Sequence, residues 1–336
     1  MPRPIEEFVA AWEALSGSGA EAGWRGIPVA RAGACELMAA RRFPGNEEAL
    51  LARFPTARPS SSDRLPEGKG FEVVRADPFG DGLTWIALSR KESGSPELFA
   101  EMVGDVAGAM DAAASDGEGA VLRTMLRRVR MWQQFMSRGA GPLSPETELG
   151  LAGELFFLAL LLDARVSPET VLKGWVGPDD APQDFLVGDG AIEVKATMSS
   201  SGGFSVKIGS LEQLDDAVAS PLFLAAVRFD GGQGGATLPE MVAEVERRLG
   251  AEPEMIDLLR ERLLVAGYTD ANAGQYSRRF EPKERRILSV STGFPRLTPG
   301  SVPIGLTRAI YEINLDHAGK FILDLDGALA KLGATV

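Results

Sequence analysis

Cysteine and histidine are almost missing: the 336-residue chain has one of each, Cys35 and His317. A lone cysteine excludes an internal disulfide and fits a reducing compartment, so a cytoplasmic location is expected. One cysteine and one histidine are too few for a zinc site of the Cys/His kind, and they argue against a histidine-based triad. Long apolar runs are missing too. The longest, residues 155–162, falls far short of the roughly 18 residues a membrane span needs, so no membrane partner is expected. The opening MPRPIEEFVAAWEAL is amphipathic and acidic and lacks the apolar stretch of a secretory leader. A surplus of positive charge is also missing. The chain has 35 Lys and Arg against 47 Asp and Glu, a net charge of −12. That argues against a protein coating nucleic acid nonspecifically, but a local basic face would still suffice to touch phosphates. Any hydrolytic chemistry must rest on carboxylates, lysine and hard metal ions.

What remains is a mixed pattern with no internal repeat. Four regions are expected: an α+β part (1–95), a helical connector (96–140), an α/β core (141–231) and an α+β extension (232–336). The first has a helix at 6–15, strand-like pieces at 26–32, 48–54, 70–75 and 83–89, and a Pro/Ser/charge loop at 55–69. Helices follow at 96–114 and 120–138. The second of these has an apolar face of Leu122, Met125, Leu126, Val129, Trp132 and Met136, with Arg123, Arg127 and Arg130 on another. The break Gly139-Ala140-Gly141-Pro142 marks a boundary. Ser144 and Pro145 then start a helix that is apolar nearly all round and carries Glu154 inside its apolar stretch. A carboxylate in such a place needs a partner, a proton or a metal.

The segment DFLVGDGAIEVKAT (184–197) reads as a hairpin around Gly188-Asp189-Gly190. Strand alternation sends Ile192, Val194 and Ala196 one way and Glu193, Lys195 and Thr197 the other. A short strand near 170–175 could precede it. A Ser/Gly loop (199–203), a strand at 204–208, a short helix SLEQLDD (210–216) and a buried strand at 221–229 follow. A Gly-rich breaker (231–235) precedes helices at 238–249 and 254–265, strands at 287–290 and 308–314, and a last helix after Leu325. Adjacent strands lie about 5 Å apart, so Asp184 and Glu193 could share a divalent cation, with the backbone carbonyl of Val194 as a further oxygen. Lys195 would then reach the attacking water or the scissile phosphate. The plain reading of the Glu193–Lys195 pair is a salt bridge on a solvated edge. Lys207 and the basic run RRFEPKERR (278–286) could touch phosphates or could simply be solvated.

Asp184 followed by Glu193-x-Lys195 resembles the PD-(D/E)XK motif of the restriction-endonuclease-like superfamily, with the motif's proline displaced by one residue, Pro182-Gln183-Asp184. GLAGELFFL (150–158), GWVGP (174–178), DFLV, IEVKAT and SLEQL resemble, more narrowly, a bacterial family of PD-(D/E)XK proteins found beside restriction-modification and phage-defence genes. The resemblance implies a restriction-endonuclease-like α/β core and a Mg²⁺-dependent DNA endonuclease, with Mn²⁺ able to substitute. In that reading Asp184, Glu193, Glu154 and the Val194 carbonyl serve the metal, Lys195 is the catalytic lysine, and Gln213 is a polar residue on the following helix. The implied partners are double-stranded DNA and other restriction or defence proteins, and a homodimer would suit double-strand cutting. Two rivals remain at this stage. One is a catalytically inactive nuclease-fold subunit that binds DNA or acts as a scaffold. The other is an unrelated interaction protein in which Asp184, Glu193 and Glu154 do not converge.

Overall fold

A computed structural model of the chain describes residues 5–17, 21–60, 64–139, 141–198, 202–232, 234–250 and 252–334. Ala140 of the expected boundary, residues 61–63 of the 55–69 loop, 199–201 of the Ser/Gly loop and residue 233 of the Gly-rich breaker lie outside these. The protein is mixed α/β with several sheets, and it divides into two compact units, Met1–Ala140 and Gly141–Val336.

The first unit contains helix α1 (Ile5–Leu15) and strands β1 (Gly23–Ala32), β2 (Cys35–Phe43), β3 (Glu47–Phe54), β4 (Phe71–Ala76) and β5 (Thr84–Arg90). The strands form an antiparallel sheet in the order β1-β2-β3-β5-β4. Helices α2 (Pro96–Ala112) and α3 (Glu118–Ser137) belong to the same unit and pack on each other. Strand β2 is not legible in the sequence. CELMAARRF is rich in Ala, Leu, Met, Glu and Arg, all helix formers. It becomes a strand because its neighbours pair on both sides and bury Leu37, Ala39 and Ala40 completely or nearly so.

The second unit opens with α4 (Pro145–Asp163), capped by the Ser144 hydroxyl, which accepts from the Thr147 N–H at 3.2 Å. The same tetrapeptide, Ser-Pro-Glu-Thr, recurs at 167–170. There it starts α5 (Pro168–Gly174), with Ser167 accepting from the Thr170 N–H. The strand expected near 170–175 is therefore a helix. Only Trp175, just past its end, makes one isolated bridge to Phe185.

Strands β6 (Phe185–Val187) and β7 (Gly190–Met198) form the expected hairpin. Strand β8 (Ser205–Ile208) leaves that sheet. Strand β9 (Leu222–Asp230) pairs parallel to β7, and helices α6 (Leu238–Leu249) and α7 (Pro253–Ala266) follow. Strands β10 (Glu281–Ser289) and β12 (Ile322–Leu323) complete a sheet ordered β12-β10-β9-β7-β6, while β11 (Tyr311–Asn314) pairs with β8 in a two-stranded ribbon. Helix α8 (Leu325–Lys331) is the last element. Residues 232–336 thus supply strands to the same sheet that holds the hairpin.

This sheet is buried on both faces, which is why β9 reads as an unbroken apolar run. One face carries Ile192, Val194, Phe223, Ala225 and Val227 into a core with α4 and α6. The other carries Ala191, Leu224 and Ala226 towards Val206, Ile208, Ile313 and Phe294. By alternation, Glu193 and Lys195 share the second face.

The helix expected over 210–216 is instead a string of turns. Ser210 and Asp215 accept from the backbone N–H groups of Glu212 and Ala217, two residues on, and such local bonds compete with the helical ladder. Leu211 and Leu214 are buried and pin the segment to the core.

Candidate functional site

The hairpin sets the site. Pairing of Phe185 with Ile192 brings Asp184, just before β6, beside Glu193 and Val194 of β7. The Asp184 carboxylate accepts from the Val194 N–H at 2.7 Å. In a strand the N–H and C=O of one residue face the same neighbour, so the Val194 carbonyl faces the Asp184 edge as well. The backbone carbonyl of Asp184 accepts from the N–H groups of Val176 and Gly177, at 2.8 and 3.0 Å. The GWVGP loop is thereby tied to the start of β6.

Helix α4 supplies Glu154. It lies close to β7 because Gly153 has no side chain: a Cβ there would sit 2.7 Å from the Cβ of Ala196. The Glu154 carboxylate accepts from the indole N–H of Trp175 at 2.6 Å. Trp175 is itself fully buried and stacked on Phe185. Gly177 leaves room between the two acids, since a Cβ there would lie 2.7 Å from Asp184 Oδ1 and 3.0 Å from Glu154 Oε2.

Glu193 has no exposed surface. One of its oxygens is ion-paired with Lys195 Nζ, and the other, Oε2, is buried without a hydrogen-bond partner. The plain reading of a solvated edge bridge does not hold, because both members of the pair are buried or nearly so.

Electrostatics tie the four groups together. Burial, and then the charge of Asp184, push Glu193 well above its ordinary value. Burial and Asp184 push Glu154 up to about 8. Burial also raises Asp184, against the opposing pull of Lys195 and the Val194 N–H. Burial works against a charged Lys195, but Glu193, Asp184 and Glu154 outweigh it and its pKa is raised, so it stays an ammonium. Asp184 and Glu154 face the same space at Gly177, and Glu193 is joined to Lys195 on the strand beside Asp184, a placement that speaks against the unrelated-protein rival.

Glu154, Asp184, Val194, Lys195, Lys207 and Gln213 line a cleft of about 650 Å³. Glu193 is not on the lining and reaches the cleft through Lys195. Gln213 sits on a turn and accepts from the Gly209 N–H at 2.8 Å, which fixes its own loop. Lys207 is ion-paired with Glu146 at 2.9 Å. In the basic run 278–286, Arg278, Arg279, Lys283 and Arg286 are all paired with carboxylates of this unit.

Read from the sequence, Trp175 is a packing residue, which its full burial fits; its hold on Glu154 and the room Gly177 leaves for the acids were not anticipated. Both residues belong to GWVGP, so the signal was present. Among the described residues, no three His, Cys, Asp or Glu side chains are grouped to hold a metal ion. No helix among them is long and apolar enough to cross a membrane.

The profile of the family described as "Putative PD-(D/E)XK family member (DUF4420)" matches residues 8–316. The chain belongs to that family, which points to nuclease-type chemistry. No curated protein and no solved structure matches the chain.

Proposed function

We propose that this protein is a metal-dependent DNA endonuclease, hydrolysing phosphodiester bonds in a restriction or phage-defence setting. The observation that carries the reading is the buried, partnerless Oε2 of Glu193, one residue from a carbonyl that faces Asp184 and two from Lys195. A buried carboxylate oxygen with no donor is unfavourable by about 1–3 kcal/mol or more, and a cation relieves it.

The donor set fits a hard divalent ion such as Mg²⁺, or Mn²⁺ in its place. Asp184, Glu193 and the Val194 carbonyl would hold it. Three protein oxygens make no closed cage, which suits Mg²⁺, since that ion keeps several waters. When bound, such an ion supplies positive charge to the attacking water and to the phosphate. Lys195 remains an ammonium beside the cleft and donates to a phosphate oxygen or to the water. Glu154, held by Trp175 and poised near neutral pH, forms the outer acid and can accept or return a proton. Gln213 holds the turn that closes the cleft beside them.

The test is nicking of supercoiled plasmid with Mg²⁺ or Mn²⁺, wild type beside Asp184→Ala and Lys195→Ala. Metal-dependent nicking lost in both variants is the expected result. Equal cutting by wild type and Lys195→Ala would remove that residue from the mechanism.

A second reading, a silent nuclease fold that only binds DNA or scaffolds a partner, is favoured by the lack of a three-side-chain metal group among the described residues. Calorimetric titration with Mn²⁺ separates the two, because only a working site binds the ion through Asp184.

A further inference from the structure

Between β10 and β11 the chain runs through residues 290–310 without regular structure. Loops this long in a compact unit usually serve a function. This one is firmly anchored at its base. Phe294 is buried and packs edge-on against Phe321 at 5.1 Å. Arg296 donates to the Leu214 carbonyl at 2.6 Å and pairs with Asp216 at 2.7 Å. The Tyr311 hydroxyl accepts the Leu297 N–H at 3.0 Å. Beyond Leu297, turns closed at Thr298–Ser301 and Pro303–Leu306 carry the chain outwards. It then returns along the cleft, where Arg308 and Ile310 join Asp184 and Lys195 in the lining.

The loop is also where apolar surface collects. Of the nine large apolar side chains exposed among the described residues, four are Leu297, Ile304, Leu306 and Ile310, and Ile304 is fully in solvent. Four such side chains on one anchored loop that reaches the cleft point to a contact surface. Its continuity with the cleft indicates the occupant. The other two cations lining the cleft are already paired, Lys195 with Glu193 and Lys207 with Glu146. Arg308 has no ion-pair partner among the described residues and stands exposed at the mouth.

We propose that residues 297–310 are a strap that engages the DNA duplex entering the cleft. This rests on the nuclease reading above. Arg308 takes a backbone phosphate, and Ile304 and Leu306 press into the groove beyond it, as apolar wedges beside cations do in proteins that deform DNA. The strap supplies positive charge and grip that a strongly acidic chain otherwise offers sparingly at this cleft.

The test is binding of a fluorescein-labelled duplex, followed by anisotropy with Ca²⁺ in place of Mg²⁺ and repeated over a range of salt. Arg308→Ala is expected to weaken binding about tenfold and to lower the salt slope by about one. The double variant Ile304→Ser/Leu306→Ser is expected to weaken binding about tenfold with the slope unchanged. Val218→Ser, another exposed apolar position, is expected to match wild type. If wild type binds and the strap variants bind equally well, the strap proposal fails and the nuclease reading stands. If wild type binds no duplex with Ca²⁺ or Mn²⁺, both fall together. If the double variant loses self-association by light scattering while keeping its DNA affinity, the surface belongs to a second copy and the proposal is overturned.

Discussion

Two glutamates on central strands, Glu48 of β3 and Glu193 of β7, are treated in opposite ways. Glu48 is paired on both oxygens: Arg41 lies 3.0 Å from one, and Arg90 donates to the other at 2.7 Å through Nε and lies 2.6 Å from it through Nη2. Arg41 is satisfied in turn, donating to the carbonyls of Trp12 and Asn46 at 2.7 and 2.6 Å. Burial pushes Glu48 up, but bonds from Arg90 and its own backbone, with the charges of both arginines, win and hold it below the ordinary range. Glu193 is more deeply buried, has one cation for company and leaves an oxygen with nothing. A carboxylate built for stability comes with its donors. One left short of donors, beside two other acids, is the feature on which the proposed metal role rests.

The comparison can be broken most directly at the site. Asp184→Asn keeps an amide oxygen for the Val194 N–H but removes the charge. Plasmid nicking is expected to fall about a thousandfold with the circular dichroism spectrum unchanged. Retained nicking would mean that the acids do not serve the reaction. The next largest effect belongs to Glu48→Gln, which leaves two guanidinium groups short of a charged acceptor. A loss of about 2–4 kcal/mol in urea unfolding is expected. The sign follows from the lowered folded pKa. The stability Glu48 contributes is present above the ordinary carboxylate pKa and is lost as pH falls through the depressed value. A neutral effect of this substitution would dissolve the contrast between the two glutamates.

Much of this was legible from the sequence, and the failures share a cause. The hairpin and most helix bounds follow from turn glycines and caps, which act over three or four residues. The Asp184 and Glu193-x-Lys195 spacing could be read because alternation along one strand fixes which residues share a face. Strand β2 was hidden because its residues prefer helix and only the neighbouring strands override them. Helix α5 was missed although Ser167-Pro168-Glu169-Thr170 repeats the start of α4 residue for residue. The 210–216 segment shows the converse, a helical composition undone by side chains that bond their own backbone. That β8 leaves the main sheet to pair with β11 depends on contacts about a hundred residues apart, which no local signal carries.

Gly177 sharpens the comparison at closer range. Its missing side chain is what lets Asp184 and Glu154 approach the same space. Gly177→Ala places a methyl 2.7 Å from Asp184 Oδ1 and 3.0 Å from Glu154 Oε2, so the acids must move apart. Mn²⁺ affinity by calorimetry is expected to drop about tenfold, or about 1.4 kcal/mol, with little change in melting temperature. Unchanged affinity would place the ion's oxygens elsewhere.

The last effect is read as a slope against pH and is the most specific to the site. Glu154 titrates near 8 when folded against an ordinary value of 4.5. A carboxyl with a raised folded pKa favours the native state most below its unfolded pKa, and that contribution drains away as pH rises to the folded value. Metal-free protein should therefore lose melting temperature between about pH 5 and pH 8 through this group, the reverse of what Glu48 does at lower pH. Glu154→Gln still offers an oxygen to the Trp175 indole and carries no proton to lose, so it should flatten that slope. It should also leave the protein more stable than wild type at pH 8. A pH profile identical to wild type would mean that Glu154 is ionised throughout, and that Trp175 and Lys195 already balance its charge without help from an incoming cation.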